Sequence, residues 1–138
     1  MHGKVFILGN SSRTDIMEEL IACVVGADAV KREDDWAFRK SLEWLSEYYE
    51  IDYFSNGPAA TVDTWEFISG IEMRKREKIQ KAIQALEEND PYKARLILTP
   101  DIYFVFCNRI YDEFSIVEEP EILTHPCLVI QGSYDYHR

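Results

Sequence analysis

Lys4-Val5-Phe6-Ile7-Leu8 runs into Gly9-Asn10-Ser11-Ser12-Arg13-Thr14 and then into Asp15-Ile16-Met17-Glu18-Glu19-Leu20. Lys4 is followed by four apolar residues stopped by glycine, a short run that predicts a buried strand. Ile16, Met17, Leu20, Ile21 and Val24 then recur at helical spacing and predict a helix over 15–25, with Gly26 as its stop. Asp15 followed by Glu18 has the spacing of a capping box. A strand that enters a helix through a small polar loop is the opening unit of an α/β domain.

That loop has the local geometry of an anion site. Backbone N–H groups and the positive end of the helix dipole converge on such a turn. Gly9, Asn10, Ser11, Ser12 and Arg13 are therefore the residues expected to hold an anionic group. The loop matches neither GxxxxGK[ST] nor GxGxxG, since it lacks the second glycine and the lysine. The competing reading is an ordinary strand-to-helix connection with Ser12 or Thr14 as the cap.

Working outward, 27–30 reads as a short strand or a plain connection. A second helix is expected over about 34–49, with Phe38, Leu42, Leu45 and Tyr49 as its core stripe, widened by Trp36, Trp44 and Tyr48. Residues 51–54 look like a strand, closed by the turn signal Ser55-Asn56-Gly57-Pro58. Residues 63–88 are helical in pattern, with the Asp63 and Glu66 spacing repeated at the start. The apolar pattern lapses near Gly70, so this segment reads either as two helices or as one whose middle leaves the core. After Asn89-Asp90-Pro91 the texture turns β-rich, with strands expected at 95–99, 102–107, 114–117 and 127–131. Pro100-Asp101 is too short for a parallel crossover, so that third is partly antiparallel or holds one bent strand.

The fold expectation is a single globular α/β domain over 1–138: a mixed sheet flanked by about three helices, with α+β as the alternative. The 138 residues, 46% of them hydrophobic, suffice for one core. No apolar run approaches the roughly 18 residues of a membrane span, and the start has no secretory pattern, so a cytoplasmic location is expected. Cys23, Cys107 and Cys127 sit in apolar contexts and are expected to be buried, reduced thiols.

A net charge of −10 repels a phosphate backbone and disfavours non-specific nucleic-acid binding. The one basic cluster, Arg74-Lys75-Arg76-Glu77-Lys78 with Lys81, reads as a solvated helix face with Glu72–Arg76 and Glu77–Lys81 pairs, or as a docking patch for an acidic partner. His125, Cys127 and Cys107 lack the spacing of a metal site, and no metal or cofactor is expected. Residues 126–135 resemble the late strand of the α/β-hydrolases, which supplies a triad acid. The chain has no GxSxG nucleophile, so what survives of that likeness is a buried strand at 128–130.

Polar clusters follow several expected strands: Ser55-Asn56-Gly57, Thr99-Pro100-Asp101, Cys107-Asn108-Arg109 and Gln131-Gly132-Ser133. Ligands in open α/β sheets bind outside the carboxyl ends of parallel strands. Two functions follow. In the first, the chain binds, and in one version processes, a nucleotide or other phosphorylated small molecule. Gly9–Arg13 would take the anion, with Asn56, Asp101, Asn108 and Arg109 for orientation or acid–base chemistry. No nucleophile stands out, so whether it is an enzyme stays open. In the second, it is an acidic interaction module, an inhibitor or immunity-type partner of a basic enzyme, with Tyr103, Tyr111, Tyr134 and Tyr136 as anchors. Oligomeric state is not legible.

Overall fold

Strand β1 (His2–Leu8) lies at the centre of the sheet, where both of its edges are paired. The computed structural model describes residues 2–9 and 15–138, with backbone alone at 15–17 and 56. The elements that follow are α1 (Asp15–Val25), β2 (Ala29–Arg32), α2 (Asp35–Tyr49), β3 (Phe54–Asn56), β4 (Ala59–Asp63) and α3 (Thr64–Glu87). They continue with α4 (Pro91–Leu98), β5 (Ile102–Phe106), β6 (Arg109–Asp112), two 3₁₀ turns (Ile116–Glu118 and Pro120–Thr124) and β7 (Cys127–His137).

The strand order is β3-β4-β7-β1-β5-β6. β1 runs parallel to β5 and antiparallel to β7. The 11-residue β7 is long enough to carry two partners end to end on its other side, β4 against 127–130 and β2 against 134–137. β1, β2, β4 and β5 thus point one way, and β3, β6 and β7 the other. This is the expected mixed α/β sheet, with four helices among the described residues where about three were expected.

Alternation along the strands divides the core. Phe6, Leu8, Phe104 and Ile130 face α2 and α3, where they meet Phe38, Leu42 and Phe67. The Phe104 ring lies 6.1 Å from Phe6 and 5.3 Å from Phe67. Each such burial contributes about 1.5–3 kcal/mol before chain entropy is counted. Val5, Ile7, Val105, Tyr134 and Tyr136 face the other way, under Ile21 and Val25 of α1.

Local signals set the helix starts. The Asp34 carboxylate accepts the Ala37 N–H at 2.8 Å and opens α2. Asp63 accepts the Glu66 N–H at 2.9 Å and opens α3. Glu66 does not reciprocate; it takes the Asp52 N–H at 2.8 Å and ties the connection after α2 to α3. α3 is one unbroken helix of 24 residues, and Gly70 marks a crossing: a Cβ there would run into the Tyr49 carbonyl oxygen.

Four expectations need correction. Residues 95–99 are not a strand: 95–98 belong to α4 and Thr99 caps it, because Asp90 caps the Lys93 N–H at 3.0 Å, Pro91 takes the first turn, and Ala94 packs on Ala82 and Ala85 of α3. Residues 114–117 form a turn and a 3₁₀ segment, since the Asp112 carboxylate gathers the N–H groups of Phe114 and Ser115 at 2.9 and 2.8 Å. The strand expected at 51–54 starts at Phe54, and it pairs with β4 at 59–63, a strand that the sequence pattern did not predict. Cys23, Cys107 and Cys127 are exposed, as are Trp36 of α2 and Leu20 and Val24 of α1, so those helices bury narrower stripes than expected.

Candidate functional site

Parallel pairing sets Ile7 beside Val105, so β1 and β5 end level with each other at Leu8-Gly9 and Phe106-Cys107. Antiparallel β7 begins at this same edge, and its Val129 carbonyl accepts the Gly9 N–H at 2.7 Å. Gly9 has φ +65°, a left-handed conformation that a side chain would strain, and Phe106 lies against it. On the other side, Cys107 and Asn108 have φ of 50° and 60° and form a tight two-residue turn into β6. Two consecutive left-handed residues are the signature of a type I′ hairpin turn.

Between these pieces lies a cleft of about 340 Å³ lined by Gly9, Phe106, Cys107, Asn108, His125, Cys127, Leu128 and Val129. The Phe106 and His125 rings meet edge to face, with centroids 6.0 Å apart. No carboxylate is among the described lining residues, although the chain carries 25 Asp and Glu. The wall therefore offers an apolar and aromatic side from Phe106, Leu128 and Val129, and a polar side from Asn108, His125 and two thiols. The Gly9 N–H is committed to Val129, so an anion here would draw on donors other than that one.

Of the residues expected at a site, Gly9 and Asn108 share this cleft. Arg109 opens β6 opposite Phe106 and is exposed. Asp101 lies at the far end of β5, before the Ile102–Lys4 pair, and its carbonyl oxygen accepts the Lys4 N–H and the Tyr136 hydroxyl, each at 3.0 Å. Asn56 pairs with Ala59 at the end of β4 remote from Asp63, so the Ser55–Gly57 cluster does not join. Two further clusters do not follow strands: Thr99-Pro100-Asp101 comes after α4, and Gln131-Gly132-Ser133 lies inside β7. Asn10, Ser11, Ser12 and Arg13 lie outside the described residues, as does the Asp15 side chain of the expected capping pair.

In the sequence, Cys107, His125 and Cys127 come together only in the question of a metal site, for which they lack the spacing. The structure gathers the three along one wall, and among the described residues no His, Cys, Asp or Glu group is arranged to hold a metal ion. What brings them together is the reversed direction of β7, which puts residues near its start beside the end of β5.

A second cavity, about 140 Å³, opens where β2 and β4 leave a gap along β7, beside Glu33 and Gly132. The Glu33 carboxylate accepts from Lys4 Nζ at 2.9 Å, Ser41 Oγ at 2.5 Å and Ser133 Oγ at 2.7 Å. Burial alone would pull the Lys4 ammonium down, but the hydrogen bond and charge of Glu33, then those of Asp135, hold its pKa above 10.5. With its oxygens so engaged, Glu33 fastens β2 to β1 and β7.

Two surfaces considered in the sequence look different in three dimensions. Lys78 pairs with Glu113 and Lys75 reaches Glu118 at 3.3 Å, while Arg74 meets Glu77 at 2.9 Å. The basic cluster is thus partly spent on neutralising the segment after β6. Tyr134 and Tyr136 are buried beneath α1, and Tyr103 and Tyr111 are half-buried, the Tyr111 hydroxyl donating to Glu119 and the Tyr103 hydroxyl accepting from Arg138. No helix of the described residues is long and apolar enough to cross a membrane. Comparison with protein-family models, curated proteins and solved structures finds no match.

Proposed function

We propose that the chain binds a small anionic molecule with an apolar or aromatic part, of the nucleotide or sugar-phosphate class, in the cleft between the ends of β1 and β5. The observation that carries this reading is a cleft wall that holds no carboxylate among the described residues, in a chain of net charge −10. The net charge of the chain repels an anion, and a wall without carboxylates among its described residues adds no repulsion of its own. The position supports it as well, because crevices outside the carboxyl ends of parallel strands are where α/β sheets place ligands. Phe106, Leu128 and Val129 would receive the ring, while Asn108, His125 and the loop after Gly9, including Arg13, would meet the anion.

The thiols make the proposal testable. Cys107 and Cys127 line the cleft, and Cys23 is exposed on α1 outside it. Nucleoside mono-, di- and triphosphates, sugar phosphates and pyrophosphate would be screened by thermal shift and calorimetry. A true ligand slows alkylation of Cys107 and Cys127 and leaves the Cys23 rate unchanged, and Arg13→Ala weakens it at least about tenfold. Failure of the whole panel to stabilise the protein, or equal protection of all three thiols, would overturn the reading.

A further inference from the structure

His125 brings an imidazole to the wall of the cleft, on a backbone that its neighbours fix. Its N–H donates to the Ile122 carbonyl at 3.2 Å and closes the second 3₁₀ turn. Its carbonyl accepts the Thr64 hydroxyl, and the Thr64 N–H donates to the Pro126 carbonyl at 3.1 Å. Thr64 opens α3 and is 1% exposed, so a buried hydroxyl ties this segment to the start of that helix. The ring itself is exposed and meets Phe106 edge to face. None of these bonds involves the imidazole, and taking up a proton breaks none of them.

Histidine is the side chain whose charge ordinarily changes between pH 5 and 8. The thiols of Cys107, in the turn after β5, and Cys127, in β7, share the cleft with it. On β4, Asp63 stands opposite Cys127 with its carboxylate on the Glu66 N–H, and Glu66 of α3 takes the Asp52 N–H. Glu121 belongs to the 3₁₀ turn that ends at His125, and Arg109 of β6 stands across from Phe106. Among the described residues that line the cleft, His125 alone has a side chain that turns from neutral to positive on mild acidification.

We propose that His125 makes anion binding in this cleft pH-dependent, tightening it as the imidazole takes up a proton. The inference rests on the reading of the cleft as an anion site and adds its regulation. A neutral imidazole offers an anion one ordinary N–H, whereas the imidazolium offers a charge-assisted hydrogen bond. By linkage, an anion that prefers the charged ring draws a proton onto it as it binds. A ligand phosphate works in the opposite direction, because acidification removes its charge. Tightening at lower pH therefore comes from the protein.

Calorimetry of the full chain with ADP and with inorganic pyrophosphate at about pH 8, 7 and 6 tests this. The wild-type association constant should rise at least about fivefold from the highest pH to the lowest. In His125→Gln it should stay level or fall. Histidine NMR of the wild type gives a second measurement. Saturating pyrophosphate should raise the titration midpoint of His125 by at least about 0.5 in pH. The midpoints of His2 and His137, which pair with each other at the far end of β1, should stay where they are. Binding that is level with pH, or a rise that His125→Gln keeps, overturns this inference and leaves the anion site standing. So does a His125 midpoint that pyrophosphate moves no more than those of His2 and His137. If neither probe binds at any pH, the inference falls, and the wider ligand panel decides the site by itself.

Discussion

The Tyr49 hydroxyl donates to the carboxylate of Glu113 at 2.7 Å, linking α2 to the residue that follows β6 across 64 positions of sequence. Glu113 is 3% exposed and also accepts from Lys78 Nζ of α3, so one buried carboxylate joins three elements. Burial and the Glu113 charge hold the Tyr49 hydroxyl well above its ordinary 10.0. Glu113→Ala leaves the Lys78 ammonium without its partner and should cost about 3 kcal/mol, the scale for breaking a buried pair from one side. Lys78→Met should cost less, because the Tyr49 hydroxyl still serves the carboxylate. Urea unfolding of both variants and of the double variant gives the coupling; strict additivity would mean the pair does not act as a unit.

Alkaline pH should destabilise the fold. For Lys78, burial alone lowers the pKa, but the Glu113 hydrogen bond and charge outweigh it and hold the group above 10.5. Lys4 behaves alike, and Tyr136 is raised by burial. A group whose folded pKa lies above its unfolded value stabilises the fold fully below the unfolded value and loses that contribution as pH climbs to the folded one. Urea midpoints should therefore be flat from pH 8 to about 9.5 and fall from about pH 10 upward. Glu113→Gln should flatten part of the decline, and a midpoint that rises with pH would refute the assignment.

Gly70 is needed where α3 crosses the end of α2. The Cβ of Gly70→Ala would press on the Tyr49 carbonyl oxygen, a backbone atom with little freedom to retreat. Overpacking of this kind costs about 1–3 kcal/mol, although alanine is the better helix former by about 1 kcal/mol. The thermal midpoint should fall; a rise would show that the crossing is looser than the structure has it.

At the tip of the β5–β6 hairpin, Cys107 adopts φ 50°, where a non-glycine side chain is strained. Asparagine tolerates this conformation best among residues with side chains. Cys107→Asn should stabilise the fold by about 0.5 kcal/mol, read as a higher urea midpoint at constant m-value.

Removal of the α4 cap gives a local test. Asp90→Ala frees the Lys93 N–H, now capped at 3.0 Å, and should cost about 1 kcal/mol. Because α4 packs on α3 through small residues, the loss should appear first as faster amide exchange over 91–98. Unchanged exchange there would mean the helix is held by packing alone.

The sequence by itself determined the features that depend on neighbours a few residues away. The bounds of α1, the openings of α2 and α3, and the strand before Gly9 were legible because caps, helical periodicity and a glycine with φ +65° act over one turn of chain. Short apolar runs defeated this reading. Residues 95–99 satisfy strand and helix patterns alike, and the choice fell to Asp90 and Ala94.

Only the tertiary structure decided the site. β1 pairs with β7 from His2–His137 to Leu8–Ile130, partners more than 120 positions apart, and nothing local announces that β7 runs backwards between β1 and β4. That direction brings His125 and Cys127 beside Gly9 and Cys107, while the parallel pairing of β1 with β5 leaves Asp101 at the opposite end of the sheet. Strand order and direction come from which faces bury together, a property of the whole chain. Lys4–Leu8 and Gly9 mark where the chain turns, and the sheet decides what they turn towards.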